Sequence, residues 1–318
     1  MKWKKTSNKL IHEGVNGNHR VILLSDGTKI KETLDPNADH FTYEYPESFD
    51  LKITDACDGG CQYCHENSTV NGKHAYLDKL IPMFRSCAAG TEIAIGGGNA
   101  LSHPDIVHFV HKLNSMFLVP CMTINQKHLK PYWSVIEKLA LYGIGVSLTD
   151  PDNQEDFKLI NKLGPNVVIH TIAGVLKPSD YKALKNRKVL ILGYKDIRRG
   201  HDNLEKHSDE IRANIEQLKK DLPKLTNMCK AVSFDCLALE QLNPKEVLGM
   251  TDEEFARIYK GHDYEMFDKE GKLTVGTMFI DAVQMKIARS STAPMDKRYS
   301  FTGSEDIREL LAKSCEGY

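Results

Sequence analysis

Long apolar runs are missing from this chain. No stretch of about 18 consecutive apolar residues occurs in its 318 residues, which excludes a membrane-spanning helix. An excess of either charge is missing too. Lysine plus arginine total 42 against 43 aspartate plus glutamate, a formal net charge of −1, which argues against a general nucleic-acid or anionic-membrane surface. The basic start, Met1-Lys2-Trp3-Lys4-Lys5, lacks a following apolar stretch of signal-peptide length, so a cytoplasmic protein is expected. Cysteine is thin outside one short run: Cys87, Cys121, Cys229, Cys236 and Cys315 are scattered, and no disulfide framework is expected. Cys87 and Cys121 read as small buried hydrophobes. Internal repeats and low-complexity segments are lacking as well. Hydrophobic residues make up 41% of the chain, enough for one large α/β domain with appendages or for two ordinary domains.

Against that sparse background stands Cys57-x₃-Cys61-x₂-Cys64, at the point where a strand ends and a loop begins. Four thiols would close a four-iron, four-sulfur (4Fe–4S) cluster for electron transfer. Three leave one iron without a protein ligand, so a small molecule can bind and react there. Two other readings stay open at this point. Zinc accepts thiolate and imidazole together, which makes a site completed by His65 or His74 a second reading. Unrelated buried thiols are a third.

The periodicity around the thiols predicts an α/β domain. Strands are expected near 49–55, 91–96, 119–124, 143–148, 166–172 and 188–193, with helices near 75–87, 105–117, 131–142, after Asp150-Pro151, and at 207–222. Pro82 predicts a kink or a late start in the first helix. Six βα repeats favour a parallel sheet, and they are too few for a closed eight-stranded barrel. Before residue 49, Arg20–Leu24 and Thr28–Lys31 flank Ser25-Asp26-Gly27, a hairpin signal. After 229, residues 231–237 read as one further strand, Thr251 and Glu254 as a capping box, and 266–283 as β-like, with a last helix after Ser304. The division is therefore 1–48, an N-terminal β element; 49–228, the βα core; and 229–318, a cap over the open end.

The cysteine spacing, with Tyr63 just before the third thiol, resembles the radical S-adenosylmethionine (radical SAM) superfamily. The resemblance covers roughly residues 49–228. It implies a partial (βα)6 barrel and a cluster held by Cys57, Cys61 and Cys64, whose open iron binds the amino and carboxylate groups of S-adenosylmethionine. It further implies cleavage of that cofactor to a 5′-deoxyadenosyl radical, which takes hydrogen from a substrate, and an electron donor such as flavodoxin or ferredoxin. Residues carried over are Tyr63 toward adenine, Gly97, Gly98 and Asn99 toward the methionine amine, Ser147 toward ribose or carboxylate, and Lys195 toward the carboxylate or substrate. The Gly96-Gly97-Gly98-Asn99 segment resembles a Gly-Gly-Glu motif and continues to match at Leu101, His103 and Pro104, but Asn99 stands where a glutamate is expected. An amide meets an ammonium only through its carbonyl oxygen. Asn125 and His170 end strands near the expected mouth. Asp235 and Cys236 are candidates on the further strand, the thiol as a hydrogen-atom donor. Three cysteines in the tail are too few for an auxiliary four-thiolate cluster, so one cluster is expected.

The substrate class is read as a peptide or protein, because β-rich ends offer edges for strand addition. A small metabolite or nucleotide is the alternative, and a non-catalytic zinc or iron–sulfur protein is the rival from another class.

Overall fold

The computed structural model describes residues 8–38, 40–259 and 266–316. Its centre is a ten-stranded sheet. Two segments precede it as a separate three-stranded antiparallel sheet: β1 (Leu10–Asn16) and the hairpin β2 (His19–Leu24) with β3 (Lys29–Thr33). The hairpin forms as its Asp-Gly turn predicts. The first strand was not anticipated, although Asn16-Gly17 is the same kind of signal, with Gly17 at φ +57°. His19 and Lys31 of this sheet reach Glu47 Oε1 and Oε2 at 2.5 and 2.7 Å, which ties it to the base of the large one.

The large sheet runs β4 (Ser48–Thr54), β5 (Glu92–Gly97), β6 (Val119–Asn125), β7 (Gly143–Ser147), β8 (Val167–Ile172), β9 (Lys188–Leu192) and β10 (Ala231–Phe234) side by side, all parallel. Beyond β4 lie β11 (Thr277–Asp281), also parallel to β4, then β12 (Lys286–Ala288) and β13 (Tyr299–Ser300), antiparallel. All six core strands therefore occur, and the parallel run exceeds six. Residues after 229 add strands at both edges, so the C-terminal segment is continuous with the sheet.

Parallel register puts paired residues on one face, and the two faces differ. Phe49, Leu51, Ile53, Ile93, Ile95, Met122, Ile124, Val146, Ile169, Val189 and Ile191 are buried against the helices. Phe84 stacks on Phe49 and meets Phe109 edge-on, joining the first two crossover helices to the sheet. The opposite face carries Asp50, Lys52, Thr54, Gly96, Thr123, Asn125, Ser147, His170 and Asp281. Alternation along β4 is thus strictly apolar on one side and polar on the other.

Helix lengths depart from the sequence reading where local chemistry intervenes. Pro82 delays the first helix, which occupies Ile81–Phe84 after a 3₁₀ turn. The third is only Trp133–Ile136. The connection between β8 and β9 is a 3₁₀ segment, Pro178–Leu184. The helix Arg199–Met228 is longer than expected and breaks at His207. Thr251 and Glu254 do form the reciprocal capping pair: the Glu254 N–H donates to Thr251 Oγ1 at 3.2 Å and the Thr251 N–H to Glu254 Oε2 at 2.9 Å.

Candidate active site

The cysteine loop leaves the carboxyl end of β4, the end at which parallel α/β sheets bind ligands. Its two ends are pinned together. The Cys57 N–H donates to the Thr69 carbonyl at 2.8 Å and the Asp55 N–H to the Lys73 carbonyl at 2.8 Å. Between these ties Cys57 and Cys61 face a common space, and Cys64 lies in electrostatic range of both. A Cβ on Gly59 would lie 3.3 Å from Cys57 Sγ and 3.8 Å from Cys61 Sγ, so the glycine leaves open the space between two sulfurs. The Gly59 N–H donates to Cys57 Sγ at 3.3 Å. Burial pushes the Cys57 thiol up, and the other two thiols add to the rise. Burial likewise raises Cys61, Cys64 adds to it, and the charges of Lys127 and Arg199 oppose it. Tyr63, half-buried beside Cys61 and Cys64, is pushed up to about 12, chiefly by burial.

The glycine segment at the end of β5 buttresses this loop. The Gly98 N–H donates to the Thr54 carbonyl and the Asn99 N–H to the Ala56 carbonyl, each at 2.7 Å. Gly97 sits at φ +110°, and a Cβ there would come 2.5 Å from Thr54 O. Asn99 is buried, and its side-chain nitrogen has no partner among the described residues. His103 donates from Nε2 to the Ala75 carbonyl at 2.9 Å and accepts the Asp105 N–H on Nδ1, which makes it a structural tie.

Both flanks of the thiol run are held by one buried lysine. Lys52 Nζ lies 2.6 Å from Asp55 Oδ1, 2.9 Å from Glu66 Oε2 and 3.2 Å from Asp281 Oδ2. Glu66 also meets His65 Nε2 at 3.3 Å and Arg198 Nη1 at 3.5 Å. Burial alone would raise the Glu66 carboxyl, but His65 and Lys52 hold it well below the usual range. Asp50, two residues earlier on the same face, lies in electrostatic range of Lys195, Glu66 and Asp235. Burial raises its carboxyl, Lys195 opposes the rise, and Glu66 and Asp235 add to it.

The strand exits on the far side bring in the remaining candidates. Asn125, Ser147 and His170 are register neighbours across β6, β7 and β8 and form one row. His170 packs over Gly145, where any Cβ would come within 2.4 Å of its ring, and burial lowers its pKa to about 4. Lys195 Nζ donates to Ser291 Oγ at 3.0 Å and lies 3.3 Å from His65 Nε2. Arg198 and Arg199, just after it, donate to the carbonyls of His65 and Ser68 at 2.8 and 2.6 Å.

Two sequence candidates fall elsewhere than expected. Asp235 and Cys236 do not extend a strand: Asp235 caps the helix Cys236–Leu242, accepting the Ala238 N–H at 2.7 Å and the Gly193 N–H at 2.8 Å. Asp235 therefore braces the backbone leading to Lys195, while Cys236 sits exposed at the first helical position. A capping signal, Asp235-Cys236-Leu237-Ala238, was present in the sequence. The two histidines read as zinc donors engage other groups: His65 Nε2 lies 3.3 Å from Glu66 Oε1. His74 Nδ1 pairs with Thr54 Oγ1 at 2.8 Å and stacks edge-on with His103. His128 lies by the thiols instead: ligand atoms of Cys57, Asp58 and His128 fall within 4.8 Å of one another. Lys52, Glu66, Asp50, Lys127 and His128 were all missed.

No protein-family model matches the chain, and no curated protein matches it. Solved structures do. Streptococcus suis SuiB bound to precursor peptide SuiA aligns with TM-score 0.57 at 14% identity, over 85% of this chain and 65% of that one. SuiB bound to S-adenosylmethionine aligns with TM-score 0.54 at 13% identity, over 85% of this chain and 66% of that one. The chain thus shares the SuiB fold while spanning less than two thirds of SuiB's length. Among the described residues no helix is long and apolar enough to cross a membrane.

Proposed function

We propose that this chain is a radical SAM enzyme with one 4Fe–4S cluster, acting on a peptide or protein. The observation that carries this is the shared space between Cys57 and Cys61 at the carboxyl end of β4, with Cys64 in electrostatic range of both, in a fold shared with a protein solved with S-adenosylmethionine and with a precursor peptide. The donor set suits the cluster: three thiols, an open space at Gly59, and cations at Lys127 and Arg199 to balance a thiolate-rich anion. Cys57, Cys61 and Cys64 would hold the cluster, which would supply the one-electron chemistry that cleaves S-adenosylmethionine reductively for hydrogen abstraction from the substrate. The protein binds, orients and excludes water. In this reading the sheet is a partial (βα)6 barrel extended at its edges. The Tyr63 backbone meets adenine; the Gly97 and Gly98 carbonyls and the unpartnered Asn99 amide meet the methionine end; Ser147 and Lys195 meet ribose and carboxylate. The 229–318 segment is read as covering these groups, and the Lys195–Ser291 bond supports that reading. Asp235 acts through Lys195, and Cys236 is left as a candidate hydrogen-atom donor. A flavodoxin or ferredoxin in the cytoplasm supplies the electron.

One observation favours a second reading. Cys57, Asp58 and His128 form a ready set of zinc donors, with Cys61 at hand. Metal analysis after anaerobic reconstitution separates the two. The cluster reading predicts brown protein with about four irons and four sulfides per chain, lost in Cys57→Ala, Cys61→Ala and Cys64→Ala and retained in His128→Ala. Colourless protein with stoichiometric zinc, lost in His128→Ala and kept in Cys64→Ala, would establish the second reading instead. Iron near twice the one-cluster value would contradict a single cluster.

A further inference from the structure

The cysteine loop is gripped from the exit of β6 by two side chains that the ligand set does not include. Asn125 closes that strand. Its Oδ1 accepts the Lys127 backbone N–H at 3.0 Å and the Thr149 hydroxyl at 3.4 Å. A backbone N–H can only donate, so the oxygen end of the amide is assigned by its partner. The nitrogen end is therefore turned the other way, and it lies 3.7 Å from Cys61 Sγ. Lys127 extends over the loop on the same side, with Nζ donating to the Gly59 carbonyl at 3.1 Å. Gly59 is the residue whose missing side chain leaves Cys57 and Cys61 facing a common space. One thiol thus receives an oriented N–H donor, and a positive charge is fixed one residue from the space both thiols border.

From this geometry we infer that Asn125 and Lys127 set the reduction potential of the cluster held by Cys57, Cys61 and Cys64. The inference rests on the radical SAM reading above and deepens it. Reduction adds one electron to a group already bearing thiolate charge. An N–H bond to a ligating sulfur and a nearby cation both favour the more negative, reduced state, which raises the potential. Both are positioning residues, because they act through the cysteine ligand and the loop. Asn125 is held from three sides, by Lys127, Thr149 and Cys61, so its donor does not swing away. The same row continues through Ser147 and His170, which places the donor at the edge of the proposed cofactor site.

The test is an EPR-monitored redox titration of the anaerobically reconstituted full chain, with iron and sulfide measured on each sample. Asn125→Asp keeps the shape and the oxygen that Lys127 needs, but replaces the donor by an anionic oxygen. Lys127→Gln keeps a donor for the Gly59 carbonyl and removes the charge; Lys127→Arg restores it. Both charge-altering variants are expected to hold wild-type iron and to titrate at a more negative midpoint, with Lys127→Arg close to wild type. Unchanged midpoints at full iron content would overturn the inference. Loss of the cluster in both variants would also overturn it, by assigning the two residues to holding the loop. A wild-type protein that binds no cluster would instead remove the reading on which the inference stands.

Discussion

Lys52→Met is expected to lower stability by about 3–5 kcal/mol at neutral pH, the range for breaking a buried ion pair from one side. The Lys52 side chain is 3% exposed, and its partners Glu66 and Asp281 are 7% and 0% exposed. Methionine fills much of the volume but leaves those carboxylates desolvated. Glu66 retains His65 and Arg198; among the described residues Asp281 retains only the backbone N–H groups of Val283 and Gln284 on Oδ1. The loss has a characteristic pH dependence. Burial works against the Lys52 charge, but Glu66, Asp55 and Asp281 raise its pKa above the ordinary lysine value, so its contribution is complete below about pH 10.4 and fades only as pH rises through the folded value. Glu66 is depressed, so its contribution is present above about pH 4.3 and is lost as acid protonates it. Wild type should therefore lose stability steeply below about pH 4, and the variant less so, narrowing the gap between them. Denaturant titrations at pH 7 and in acid read both effects. A variant within 1 kcal/mol of wild type at pH 7 would show the lysine to be incidental. Because Asp55 and Glu66 lie on either side of the thiol run, the same variant should also retain iron poorly.

Gly98→Ala is expected to cost about 1–3 kcal/mol, the range for overpacking a tight contact, and to impair iron retention out of proportion to that loss. A Cβ on Gly98 would stand 2.3 Å from the Ala56 carbonyl oxygen, which itself accepts the Asn99 N–H. Backbone must move, and the residue next to Ala56 is Cys57. Gly96→Ala supplies the control on the same strand. Nothing lies within 4 Å of its Cβ, so that variant should be neutral or stabilised by about 0.4–1 kcal/mol through the unfolded chain. Equal behaviour of the two variants in denaturation and iron content would refute this role for the end of β5.

Period-two and helical patterns made the βα core legible, because parallel strands buried under helices leave long apolar signals. Phe49, Leu51 and Ile53 announced β4, and the same alternation placed Asp50 and Lys52 together on its other face. What no local pattern carried is which charges meet. Glu66 follows the thiols by two residues, yet its role comes from Lys52, fourteen positions back, and from Arg198 across the sheet. Lys127 and His128 approach the loop from the exit of β6, two strands away from β4, and have no spacing signal of their own. Asp235 misled because a short strand before it looked extendable; its side chain instead satisfies N–H groups at a helix start. The short helix at Trp133–Ile136 shows the limit of a periodic signal with no capping residue: Tyr132 precedes it and makes no side-chain cap.

The account stands most directly on product analysis. Anaerobically reconstituted protein, given dithionite and S-adenosylmethionine, is predicted to form 5′-deoxyadenosine and methionine, with none from a Cys57→Ala/Cys61→Ala/Cys64→Ala variant. A wild-type protein that carries a full cluster and binds S-adenosylmethionine, yet forms no 5′-deoxyadenosine with or without candidate peptides, would contradict it.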